Sequence, residues 1–249
     1  MKKMSPSSPI FFESILFYKG LFPFLNLHLK RIEDLASNYR SEFRMSLGEF
    51  ESLLRASLHE GSEQKLRLKL NIDGSRLRIS CIESEIIFNH SFNQYPPIKL
   101  SIYPHYLKPL EKQSAWKYEN PKIYKDSIAH AFENNASQSI LINEHGEIVE
   151  TSLSNFFYII DEKIYTPPLQ SGAVNGVFRR YLMSKVDIQE RCLHLNELEL
   201  INECFVTSAV RGIVGVYQID TNDFLTCQID RLKKDLAIET TIIHRLSDR

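Results

Sequence analysis

Glycine is scarce in this chain, nine among 249 residues, tryptophan occurs once, and the four cysteines stand far apart. Cys81, Cys192, Cys204 and Cys227 form no CxxC pair and have no histidine at metal-ligand spacing, so neither a disulfide framework nor a zinc site is expected. Free thiols suit a reducing, cytoplasmic setting. No charge of either sign dominates, since 30 basic and 31 acidic residues leave a formal charge of −1. No net field therefore draws the chain to nucleic acid or to an anionic membrane, and any partner has to be recognised locally. Long apolar runs are missing too. The start MKKMSPSSPIFFESILFYKGLF is broken by Glu13 and Lys19 before it could serve as a signal sequence, and no stretch approaches the roughly 18 uninterrupted apolar residues of a membrane helix. Also absent are GxGxxG, GxxxxGK(S/T), HExxH and GxSxG, which disfavours dinucleotide, P-loop, zincin and α/β-hydrolase chemistry. The eight histidines are scattered, and no metal site is expected.

What is present is ordinary globular composition, 43% apolar and 24% charged, which rules out collagen, coiled coil and wholesale disorder. The apolar segment from Ile10 to Phe24, interrupted by Lys19-Gly20, reads as a β-hairpin. Leu29, Ile32 and Leu35 then recur at helical spacing, and Ser46 with Glu49 forms a capping box ahead of a second helix. From Lys65 to Ile72 the pattern alternates strictly, Asp73-Gly74 marks a turn, and Arg76 to Ile87 continues as strand. These elements make a small α/β domain over residues 1–105. Pro104, Pro109 and aperiodic charges identify a linker over 106–116. Residues 117–249 make a larger α+β domain with helices at about 124–134, 175–186 and 230–245 and strands at 139–143, 155–160, 164–165, 188–193 and 204–207.

Four segments stand in order along the chain: HLKRI (28–32), a lone Lys117 in AWKYEN, GEIVETSLSNFF (146–157) and TPPLQSGAVNGVFRR (166–180). Together with FFESILFYKGLF near the start and FVTSAVRGIVGV (205–216), they resemble the class IV (fold type IV) pyridoxal 5′-phosphate enzymes. That family includes branched-chain and D-amino-acid aminotransferases and 4-amino-4-deoxychorismate lyase. One segment alone would be weak; four in order and spacing are strong. The resemblance implies an α+β, two-domain fold, the small α/β domain followed by a larger pseudo-barrel domain. It also implies pyridoxal 5′-phosphate as cofactor and a homodimer acting on a small amino substrate.

The resemblance also assigns roles. Lys117, found by counting back about twenty residues from the strand Ser139 to Ile142, is the Schiff-base lysine, and Asn120 matches an asparagine common among the family's lyases. Taken alone Lys117 would be one of many solvated lysines. Glu150 occupies the position of the carboxylate that faces the pyridine nitrogen and keeps it protonated, with Asn155 supporting the turn that carries it. Arg31 and the backbone N–H groups of Val177 and Phe178, with Gly176 allowing close approach, are the phosphate contacts. Where relatives often carry a hydroxyl this chain has Ala209, so Ser208 or Thr207 supplies that contact or backbone serves alone. Two further departures bear on substrate. Asp73 stands where many relatives have an arginine for the substrate carboxylate, leaving Arg76 or Arg78 to replace it, and the aminotransferase tyrosine is Lys122. The expected activity is that of 4-amino-4-deoxychorismate lyase, forming 4-aminobenzoate and pyruvate, with a class IV aminotransferase as the alternative.

Overall fold

The computed structural model describes residues 10–58, 63–73, 76–86, 92–107 and 122–236, which divide between two compact units. The first unit begins with strand β1 (Ile10–Tyr18), helix α1 (Leu25–Asn38) and helix α2 (Leu47–Arg55), and continues with strands β2 (Glu63–Asp73) and β3 (Arg76–Ile86). The strands form an antiparallel sheet in the order β1-β2-β3. Period-two alternation sends Leu66, Leu68 and Leu70 of β2 and Phe11 and Ile15 of β1 to one face, where they pack with Ile32 and Leu35 of α1 and Phe50 and Leu54 of α2. Each of these side chains stabilises the unit by about 1.5–3 kcal/mol relative to exposure. Lys65, Arg67 and Lys69 fall on the other face, and the Arg67 guanidinium sits 4.1 Å from the ring centre of Phe12.

Helix α2 starts as its sequence predicts: Ser46 Oγ accepts from Glu49 N–H at 3.2 Å, while the Glu49 carboxylate accepts from Ser46 N–H at 2.7 Å. The expected hairpin at Lys19-Gly20 does not form. Leu21 makes only an isolated bridge to Tyr18, and β1 pairs instead with β2. Pro23 has no N–H to extend a returning strand, and Phe24 turns left-handed, φ 60°, into α1.

The second unit comprises strand β4 (Ile98–Leu107), helix α3 (Lys122–Glu133), and strands β5 (Gln138–Asn143), β6 (Ile148–Thr151), β7 (Asn155–Ile160) and β8 (Lys163–Thr166). It continues through helix α4 (Val177–Met183), strands β9 (Ile188–Glu190), β10 (Glu203–Ser208), β11 (Gly212–Ile219) and β12 (Asn222–Asp223), and helix α5 (Cys227–Asp235). Nine strands form one mixed sheet, ordered β6-β5-β4-β11-β10-β7-β8-β9, with β12 paired to β11. The apolar run Asn155-Phe-Phe-Tyr-Ile-Ile160 suits β7, which lies between β10 and β8 and is buried along nearly its whole length. Strand β4 is an element the sequence reading missed, because Pro104 argues against a strand. The ladder with β5 accommodates it by a register shift between Ile102 and Tyr106. Most of the linker expected over 106–116, with Lys117 and Asn120, lies outside the described residues. Among the described residues no helix is long and apolar enough to cross a membrane.

Candidate active site

The site is built from the hairpin that joins β6 to β7. Thr151 closes the intervening turn, its N–H and Oγ1 both donating to Ser154 O at 2.9 Å. This tight return brings Asn155 back beside Glu150. Glu150 is only 3% exposed, and an ionised carboxylate at such depth needs hydrogen-bond donors around it. Three of the described residues supply them. Asn155 Nδ2 donates to Oε2 at 3.1 Å, Val174 N–H donates to the same oxygen at 3.0 Å, and the Tyr124 hydroxyl of α3 donates to Oε1. Burial, followed by the charge and hydrogen bond of Glu150, pushes the Tyr124 phenol well above its usual range, so it remains a donor.

Asn155 does more than support its turn. Its Nδ2 also donates to Val174 O at 2.7 Å, so it ties β6 to the segment that enters α4. Gly176 caps that helix with no side-chain cap hydrogen bond, ahead of the first-turn residues Val177 and Phe178. The glycine has a local reason: a Cβ there would collide with Asn155 Oδ1 and lie 3.2 Å from its Cγ. Across the β7–β10 ladder, Thr207 pairs with Asn155. Its Oγ1 is buried without a hydrogen-bond partner among the described residues. Ser208 Oγ accepts from Arg211 N–H at 3.1 Å, and Ala209 is half-buried beyond it.

Arg31 belongs to the first unit. There Arg31 and His28 of α1 converge on Glu13 of β1, which is 1% exposed; Arg31 Nε donates at 3.0 Å to the oxygen that also receives Nη2, and His28 Nδ1 meets the other oxygen. Burial opposes ionisation of Glu13, but the attraction and hydrogen bonds of Arg31 and His28 outweigh it and hold the carboxyl down at about 2. Arg76 and Arg78 are exposed on β3 and, with Arg44, Phe43 and Met45, line a cavity of about 560 Å³.

The structure thus joins Glu150 and Asn155 with the start of α4 and the end of β10, places Arg31 in a separate ion cluster, and leaves Lys117 outside its described residues. Sequence reasoning missed Tyr124 and Glu13. Tyr124 stands two residues past the family position held by Lys122, and only the helical turn carries it to Glu150. Glu13 sits in the quoted segment FFESILF, but its partners lie 15 and 18 residues away and nothing local announces them.

A pyridine ring bearing a phosphate fits these residues. Glu150 is a buried carboxylate oriented by three neutral donors, suited to a ring N–H. Gly176 lets Asn155 pack directly on the start of α4, whose first-turn backbone can meet an anion, and Thr207 adds a buried hydroxyl with no partner among the described residues.

Comparison with known proteins agrees with this chemistry. The amino-transferase class IV family profile matches residues 10–219. The aminodeoxychorismate lyase of Bacillus subtilis is 22% identical over 233 residues, covering 84% of this chain and 77% of that one. A Thermotoga maritima protein named as a branched-chain-amino-acid aminotransferase is 30% identical over 90 residues, 34% of this chain and 33% of its own length. The match therefore spans about a third of that relative. The crystal structure of a Brucella abortus aminotransferase bound to pyridoxal 5′-phosphate superposes with a TM-score of 0.76 at 16% identity, covering 96% of this chain and 93% of that one. With the profile matched over most of its length, the chain belongs to the class IV aminotransferase family of pyridoxal 5′-phosphate enzymes.

Proposed function

We propose that the chain is a 4-amino-4-deoxychorismate lyase, releasing pyruvate and forming 4-aminobenzoate; a class IV aminotransferase, moving an amino group to a 2-oxo acid, is the alternative. The observation that carries the reading is Glu150, a buried carboxylate fixed by Tyr124, Asn155 and Val174 at the position the family places against the ring nitrogen. Bound pyridoxal 5′-phosphate supplies an electron-accepting ring conjugated to the substrate's amino group. Glu150 keeps a proton on the ring nitrogen, because an anion beside that nitrogen favours its charged form. Lys117 Nζ provides the covalent anchor, then acts as the general base that takes the substrate's ring proton. The N–H groups of Val177 and Phe178 beside Gly176, and Ser208 with the Ala209 backbone, hold the phosphate.

Two residues favour the lyase. The residue in place of the aminotransferase tyrosine, Lys122, is exposed at the start of α3, and Asn120 matches the lyase pattern. The reading includes a cytoplasmic homodimer. Purified protein given aminodeoxychorismate should form 4-aminobenzoate and pyruvate without any 2-oxo acid. Turnover seen only with an amino acid plus 2-oxoglutarate or pyruvate would establish the alternative instead.

A further inference from the structure

We propose that Tyr124 is a positioning residue for the cofactor: its hydroxyl keeps Glu150 ionised and aimed, and so sets how far into acid the protein can hold a protonated ring nitrogen. The proposal rests on the reading of Glu150 as the partner of that nitrogen. A carboxylate has about four acceptor sites. Asn155 Nδ2 and Val174 N–H both donate to Oε2, and the Tyr124 hydroxyl donates to Oε1.

Such donation has a definite sign. A donor on the ionised carboxylate favours the charged form, so without it acid neutralises Glu150 sooner, and a neutral carboxyl no longer holds a proton on the ring. Of these three donors to Glu150, Tyr124 on α3 is the one that titrates; Asn155 of β7 and Val174 do not, and Leu141 faces it from β5. Several other ionisable groups of the unit point elsewhere. His145, Glu147 and His194 gather at the turn closed by Asn143, while Asp126 and His130 of α3 turn toward Tyr103. The Tyr124 phenol is raised well above its usual range, so it stays protonated wherever the enzyme works.

The test uses the full chain freed of cofactor and measures binding of two probes from pH 5 to 8. One probe is pyridoxal 5′-phosphate, the other its 1-deaza analogue, which carries carbon in place of the ring nitrogen and the same phosphate. The unaltered protein should prefer the natural cofactor and lose that preference at a characteristic acid midpoint. Tyr124→Phe should move the midpoint up by on the order of one pH unit, the scale of a hydrogen bond to a charged group, and leave binding of the deaza analogue unchanged. Should the phenylalanine variant fail to fold, 3-fluorotyrosine at position 124, a stronger donor, should move the midpoint down. A midpoint unchanged by either replacement, with the preference intact in the unaltered protein, would overturn the role of Tyr124 alone. Equal binding of both probes by the unaltered protein would overturn the placement of Glu150 itself.

Discussion

Glu13 of the first unit and Glu150 of the second are both buried, and their donors differ in kind. In the first unit Glu13 is met by two cationic partners, Arg31 and His28, and its charge is largely cancelled within the fold. In the second, a phenol, an amide and a backbone N–H are among the donors that orient Glu150. Neutralisation is what stability asks of a buried carboxylate, whereas orientation without neutralisation leaves its field to act on a ligand.

The sharpest way to break the contrast is Glu13→Ala, which strands Arg31 in the interior. Loss of one partner of a buried pair costs about 3–5 kcal/mol, so chemical denaturation should show a large drop in stability. A small drop would mean that Glu13 is no structural anchor. Glu150→Gln should do the reverse. Unfolding should be little affected while kcat and kcat/KM fall together by roughly 10²–10³, the cost of one electrostatic contact made in the transition state. Near-normal turnover with an unaltered visible band of the cofactor would remove Glu150 from the site.

Acid probes the first unit next. Glu13 is lowered from 4.5 to about 2, so its contribution is complete above about 4.5 and is lost as pH falls toward 2. Stability should decline by ~3 kcal/mol across that window, and in Glu13→Gln the decline should shrink. Gly176→Ala should cost about 1–3 kcal/mol of stability by overpacking against Asn155, and should weaken cofactor retention as well. Fluorescence titration with pyridoxal 5′-phosphate would show the second effect. The smallest change belongs to Lys30→Ala. Lys30 pairs with Asp34 at 3.2 Å on the exposed face of α1, and its loss should stay within about 0.5 kcal/mol. A larger effect would erase the distinction between buried and surface charge on the same helix.

Local signals were legible where a short-range pattern decides the outcome. The alternation of β2, the capping box at Ser46 and Glu49, and the return that pairs Asp73 with Arg76 all appear as read. The hairpin at Lys19-Gly20 was misjudged because a turn signal says nothing about which strand will pair, and β1 found its partner in β2, beyond both helices. β4 was lost because proline vetoes a strand only where its N–H would be needed, and the bulge between Ile102 and Tyr106 removes that need. Of the site, Glu150, Asn155 and Gly176 could be named through the family resemblance of their segments. Tyr124 could not, since its value comes from a helix laid against a strand 26 residues further on, a relation that no local spacing encodes.

The interlock of Glu150, Asn155 and Gly176 has a consequence for how such a chain can drift. Asn155 Nδ2 serves Glu150 and Val174, while its Oδ1 occupies the room a side chain at position 176 would need. Single steps at either place are therefore penalised, but paired ones need not be: Asn155→Ser clears space for Gly176→Ala while forfeiting only the amide's bonds. A double-mutant cycle on the two positions should give a coupling of about 0.5–3 kcal/mol in the compensating direction. Descendants of this chain would then explore the pocket by concerted exchange at two distant codons, with the route through either intermediate alone largely closed.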